Sequence, residues 1–169
     1  MSDTHERVMN MIARGRLAAA DDGEGMQFAQ VSLLAGEAKA RVERMQQYGF
    51  SSVPPVGSEA LAVFVGGGRD HGVVVAIDNR ASRIRGQATG EVSMYSDEGD
   101  YMVLKRGNTI ELGTDRLVLL CDVEVVVEAP RVIIRAPEVI IEGNLTVSGE
   151  IRASAVYAPA GSVPGPKTE

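Results

Sequence analysis

Cysteine is almost missing from this 169-residue chain. The single thiol, Cys121, excludes an internal disulfide and fits synthesis in a reducing cytosol. It lies in an apolar run and is expected to be a small buried hydrophobe. Long apolar runs are missing as well: no stretch reaches the roughly 18 residues that a membrane-spanning helix needs. Asp3, His5 and Glu6 precede any apolar stretch, so no signal peptide is expected. An excess of basic charge is also lacking. Residues 1–90 hold 10 Lys+Arg against 10 Asp+Glu, and residues 91–169 hold 7 against 13, so the net charge of −6 falls wholly in the second half. An acidic surface repels phosphate, which argues against nucleic acid as a partner. It suits a soluble object that must not stick to others.

What is present is a seven-residue repeat. Residues 124–130 read Glu-Val-Val-Val-Glu-Ala-Pro, 131–137 read Arg-Val-Ile-Ile-Arg-Ala-Pro, and 138–144 read Glu-Val-Ile-Ile-Glu-Gly-Asn. A fixed period signals stacked structural units. Each unit is β-branched in its middle and closes on Ala-Pro or Gly-Asn, which is a strand followed by a turn. Helix is disfavoured by runs of β-branched residues and by recurring proline.

Strand side chains alternate between two faces. Val125, Val127, Val132, Ile134, Val139 and Ile141 therefore form one face, which is read as the core. The opposite face carries Val126, Ile133 and Ile140, flanked by Glu124 and Glu128, then Arg131 and Arg135, then Glu138 and Glu142. The flanking charges switch sign from unit to unit, so stacked units form a charge ladder. Each cross-strand pair contributes about 0.2–1 kcal/mol, less when solvated. Register is the larger consequence, because a slip by one unit opposes like charges.

One chain cannot easily close such a rod. Seven residues span about 23 Å at ~3.3 Å per residue, too short for a full coil around a core. Three chains giving one unit each supply 21 residues per layer. The expected architecture is an intertwined homotrimer with Val and Ile on its axis, and the expected function is mechanical. The competing reading is a β-meander in a monomer. The repeat fades at both ends, into Leu117–Leu120 before it and Leu145–Ile151 after it. Ala153, Ser154 and Ala155 then taper into a Pro/Gly tail from Pro159 to Glu169.

Upstream, residues 4–14 have the spacing of a short amphipathic helix. Strand-like stretches follow at 26–34, 40–47, 60–65 and 72–78, separated by Gly36, by the Gly49–Gly57 stretch with Pro54-Pro55, and by Gly66-Gly67-Gly68. About five short strands in ninety residues suggest a small antiparallel barrel of OB type. Residues 80–90 read as a linker. Strands at 91–95 and 101–105, joined by Ser96-Asp97-Glu98-Gly99-Asp100, and a third at 109–112 after the Lys105–Asn108 turn, form a collar. The expected fold is thus all-β: an N-terminal segment with a short helix (1–20), an OB-like antiparallel barrel (21–90), a collar and triple-stranded β-helix (91–152), and a tapering tip and tail (153–169).

Four stretches carry a resemblance: Gln30-Val31-Ser32-Leu33-Leu34, Val42 to Phe50 (VERMQQYGF), Phe64 to Gly72 (FVGGGRDHG), and Gly90-Glu91-Val92 through Tyr95-Ser96-Asp97-Glu98-Gly99-Asp100. In this order, over roughly residues 5–150, the chain resembles the Mu-type phage baseplate assembly protein V family, the central tail spikes of contractile phages. The resemblance implies a virion component with an OB-like domain bound to the baseplate hub. A triple-stranded β-helix then ends in a tip that pierces the host outer membrane. Family members often end in a His-x-His pair able to hold iron at the apex. Here the only histidines are His5 and His71, both upstream of the rod. No cofactor or metal site is carried over, which leaves a tip that is metal-free or capped by a separate small protein.

Catalytic readings are weaker. Gly66-Gly67-Gly68-Arg69 lacks the Gly-Lys-Ser/Thr of a phosphate loop and leads into Val73-Val74-Val75, so it reads as a hairpin turn. Asp70 beside His71 has no nucleophile at a usable spacing. Glu128, Glu138 and Glu142 alternate with Arg131 and Arg135, unlike the paired carboxylates of a glycosidase. Aromatic side chains are sparse in the candidate barrel: Phe28, Tyr48, Phe50 and Phe64, too few for a single-strand nucleic-acid platform without positive charge. The alternatives to a structural spike are a tail-associated glycan-degrading enzyme and an OB-type binding module.

Overall fold

The computed structural model describes residues 3–23, 25–33 and 36–157. It divides into two units, Met1–Leu120 and Cys121–Glu169. The first begins with helix α1 (Asp3–Met9), followed by β1 (Ile12–Asp21), β2 (Gln27–Ser32), β3 (Ala38–Arg44), β4 (Glu59–Phe64) and β5 (Gly72–Asp78). These five strands close a barrel in the order β1-β2-β3-β5-β4, with β4 returning to β1. The collar is a three-stranded meander of β6 (Val92–Tyr95), β7 (Tyr101–Lys105) and β8 (Thr109–Gly113).

Three features differ from the sequence expectation. The helix stops at Met9, and the remainder of the 4–14 stretch begins β1, so the barrel starts at Ile12 rather than near residue 21. β1 reads Ile-Ala-Arg-Gly-Arg-Leu-Ala-Ala-Ala-Asp, and its alanines give little strand signal. It holds because it is paired on both sides, to β2 and to β4. Second, the barrel is not wholly antiparallel: β3 and β5 run parallel, through Glu43 opposite Val73 and Arg44 opposite Val74. Third, the collar belongs to the same unit as the barrel and not to the segment that follows it. The three collar strands themselves fall where the turn residues place them.

The barrel core is Ala13, Leu17, Ala29, Val31, Leu33, Val42, Ala60, Ala62, Phe64 and Val74. Inward positions alternate along β2 and β4 as a closed barrel requires. Most of these side chains are small, and Phe64, wholly buried, is the largest among them. Arg69 lies over its ring at 4.3 Å and donates to the Asn10 carbonyl at 3.3 Å. Its guanidinium also pairs with Glu37. One arginine thus ties the β4–β5 turn to the β2–β3 turn and to the α1–β1 joint. Helix α1 rests on Gly67, which has a positive φ of 74° and where a Cβ would strike the Arg7 carbonyl.

The hydrogen bond from Arg69 holds the Glu37 carboxyl below the ordinary carboxylate range. A depressed folded-state value stabilises the fold above the unfolded carboxylate's pKa. That contribution is lost as pH falls through the lowered value. Glu37→Gln is therefore expected to lower the barrel's Tm at pH 7 and to make little difference at pH 3. A gap between variant and wild type that stays constant over that range would contradict the pairing.

At the opposite barrel end, Arg44 clips the β3–β4 loop. It donates to the Ser52 carbonyl at 2.6 Å and to Ser52 Oγ at 3.0 Å, and also to the buried Gln27 side chain. Asn79, after β5, donates to buried Ser58 Oγ at 3.0 Å and accepts from the Ala81 and Ser82 amides. The linker therefore leaves the barrel from a fixed point.

Candidate functional site

The residues expected to carry function lie mostly in the second unit, and among the described residues they find no partner in their own chain. Residues 114–157 contain neither helix nor strand. Val125 to Val127, Val132 to Ile134 and Val139 to Ile141 are each between 50% and 70% exposed, so both faces of all three units are bare. Leu117, Leu119, Leu120, Leu145 and Ile151 are exposed too. Cys121, expected to be buried, is exposed: among the described residues nothing covers it. Glu124, Glu128, Arg131, Arg135, Glu138 and Glu142 are all exposed, and among the described residues none forms an ion pair within the chain. The Pro/Gly tail from Pro159 onward lies outside the described residues.

Exposure on this scale is unusual. A monomer's largest apolar patch covers about 300–600 Å², and unpaired strand edges invite pairing with other chains. Backbone N–H and C=O groups need partners once the side chains around them are buried. Among the described residues, this segment leaves its apolar side chains uncovered.

The collar is two-faced. Residues directly opposite in a sheet share a face. Val92, Leu104 and Ile110 form one cross-strand row, and Met94, Met102 and Leu112 the next. All six are apolar, and five are exposed. The other face carries Ser93, Val103 and Glu111 in one row, and Tyr95 and Tyr101 in another. Val103 is only 6% exposed. A cavity of about 340 Å³ is lined by linker residues Ile84, Gly86 and Gln87 together with Tyr101, Val103 and Glu111, so the linker lies against this face.

Polar contacts fix the covered face. Tyr101 donates its hydroxyl to Glu111 Oε1 at 2.9 Å, and Lys105 pairs with the other carboxylate oxygen. The Lys105 and Tyr101 hydrogen bonds hold the Glu111 carboxyl below its ordinary range, and the same contacts raise Lys105 and Tyr101. Glu91 accepts the Ala88 amide at 2.8 Å and the Arg106 amide at 3.2 Å, which lowers its carboxyl. These groups brace the linker and the turn, and Glu91, Tyr101, Lys105 and Glu111 all line the cavity beneath the linker.

The residues considered for catalysis are scattered. Asp70 and His71 are exposed on the β4–β5 turn. Glu128, Glu138 and Glu142 stand on the bare segment. Among the described residues, no group of three or more His, Cys, Asp or Glu side chains comes together as metal ligands would. No described helix is long and apolar enough to cross a membrane. The collar's bare face was present in the sequence as alternation at 92–94, 102–104 and 110–112. It needed the strand register to be recognised as one surface.

Known proteins are similar to this chain in sequence. A family model described as Bacteriophage Mu Gp45, N-terminal, matches residues 14–81, from within β1 to just past β5. The baseplate puncturing device gp45 of Escherichia phage Mu is 32% identical over 164 residues, covering 96% of this chain and 83% of that protein. The Mu-like prophage FluMu protein gp45 of Haemophilus influenzae is 32% identical over 112 residues, covering 66% of this chain and 61% of that protein.

Proposed function

The chain belongs to the bacteriophage Mu Gp45 family, and from that premise we propose that it is the trimeric central spike of a phage-like contractile tail. It is a structural component of the baseplate rather than an enzyme. Its similarity to a protein named as a puncturing device supports this role. The observation that carries the reading is the segment 114–157. It displays three repeats of exposed Val and Ile that, among the described residues, have no partner strands in their own chain.

In the trimer, each layer is shared by three copies. Val125, Val127, Val132, Ile134, Val139 and Ile141 turn to the axis as a triple-stranded β-helix. The Glu and Arg flanks stack outside as a ladder of alternating sign. Sheath contraction drives the rod through the host outer membrane. The rod transmits force because its chains cannot slide without breaking many hydrogen bonds together. The barrel's strand order, with β3 and β5 parallel, supports the OB-type reading of the hub-binding domain. Its end away from the linker exposes Val8, Met9, Met11, Ile12 and Val65, apolar side chains suited to a protein partner such as the hub.

Trypsin tests this reading directly. Arg131 and Arg135 are exposed in the single chain and followed by residues trypsin accepts, Val132 and Ala136. In the assembled protein these bonds are expected to survive digestion that removes the tail. Rapid cleavage at both arginines would mean that the segment is an open chain, and the spike reading would fail. Clearing of a peptidoglycan or lipopolysaccharide suspension would instead favour an enzyme.

A further inference from the structure

We infer that the bare face of the β6–β8 collar is where three copies of this chain first meet, and that it sets the register of the repeats that follow. This rests on the trimeric reading above. The collar's two faces are treated differently by its own chain. One lies under the linker, and Tyr95 on that side lines a cavity of about 380 Å³ with barrel residues Val53, Pro54 and Asn79. The chain's own barrel and linker are therefore committed to the Tyr95–Val103 face. The other face, with Val92, Met94, Met102, Leu104, Ile110 and Leu112, contains no charged or hydrogen-bonding side chain.

Size points to the occupant. The six side chains offer on the order of 500 Å² of apolar surface, at the upper limit of what a monomer leaves bare. A stable association buries about 800 Å² per partner, so the collar alone falls short. The missing area follows in the same chain. β8 ends at Gly113, and Leu117, Val118, Leu119 and Leu120 come next, all exposed. A partner that covers both must present matching apolar surface in the same order. A second and third copy of this chain do so by symmetry.

Register gives the collar a purpose. The Glu–Arg–Glu ladder opposes like charges after a slip of one unit, but a slip of two units restores the pattern. Charge alone does not reject that error. The collar rows are not repetitive: Val-Leu-Ile lies beside Met-Met-Leu, and each row occurs once. Chains that dock through this face enter the repeat already aligned. Folding then proceeds from a compact, local meander rather than from three long unaligned strands.

Ile110→Glu puts a carboxylate on the bare face at an exposed position and leaves the barrel core untouched. It is expected to weaken the trimer about 100-fold or more, as the concentration at which mass falls to one chain. Thr109→Glu places the same charge on the opposite face, beside Lys105, and is expected to leave the mass unchanged. A trimer as tight with Ile110→Glu as without it overturns the collar inference alone; a monomeric wild type overturns the spike reading as well. Cross-linking covers the case in which Ile110→Glu fails to fold. With Cys121→Ser, an Ile110→Cys chain is expected to be joined to its neighbour by a short bis-maleimide, whereas Thr109→Cys is not. Absence of the Ile110→Cys cross-link, or equal linking at both sites, would contradict the proposal.

Discussion

Ile134→Asp is expected to abolish the trimer, whereas Ile133→Asp weakens it far less. The two positions are adjacent in the middle repeat and equally apolar, so composition and strand propensity cannot separate them. Alternation does. Ile134 shares a face with Val132 and, in the neighbouring units, with Val127 and Val139. A carboxylate there would sit on the axis three times, desolvated and among like charges. Burying an unpaired carboxylate costs at least several kcal/mol per chain, roughly the scale of the whole stability of a small domain. Ile133 lies between Arg131 and Arg135 on the ladder face, where a new carboxylate finds two cations. Light scattering on both variants reads the difference. Equal damage would refute the face assignment, and damage confined to Ile133→Asp would reverse it.

Phe64→Ala is expected to cost the barrel about 3–5 kcal/mol. Phe64 is wholly buried, and its neighbours in the core are chiefly alanines and valines. Gly72 lies so close that a Cβ there would come within 2.7 Å of the ring. Small side chains on a closed barrel cannot move in to fill the hole, so the cavity persists. The loss also removes the surface on which Arg69 rests. Hydrogen exchange of the β4 and β5 amides is the suitable readout, because it reports the barrel apart from the rod. The variant's amides should exchange far faster while its mass stays at three chains. A change worth less than about 1 kcal/mol would mean that the barrel repacks, contrary to the expectation for a rigid core. Loss of the trimer would mean that barrel and rod are coupled in a way the proposed division of labour does not allow.

The parts of the fold legible in the sequence were those fixed by local chemistry. The turn Ser96-Asp97-Glu98-Gly99-Asp100 places β6 against β7, and Gly66-Gly67-Gly68 returns β4 onto β5. What escaped was set by distant partners. β1 is an alanine-rich strand whose conformation is decided by β2 and β4, and its first residues share the spacing of the helix that precedes them. The parallel contact of β3 with β5 follows from closing the barrel, which no short stretch of sequence encodes. Among the candidate functional residues the pattern was plain at 124–142, because a seven-residue period is visible in the sequence without any partner. Its proposed core and ladder residues stand exposed in the single chain, and on the trimeric reading the strands that cover them come from other copies. The collar face lay between these cases. Its alternation was visible, but only the register joining Val92 to Leu104 and Ile110 turns three strands into one surface.

The spike account stands or falls on how many chains share the rod. Molar mass in solution answers this by light scattering, at dilute concentration and again in high salt. The account predicts about 54 kDa, three copies of the 17.9 kDa chain, under both conditions. Salt should matter little, because the exposed charge ladder selects register while the apolar axis holds the chains together. A mass of one chain would contradict the account: the three repeats would then have to find their partners within a single molecule.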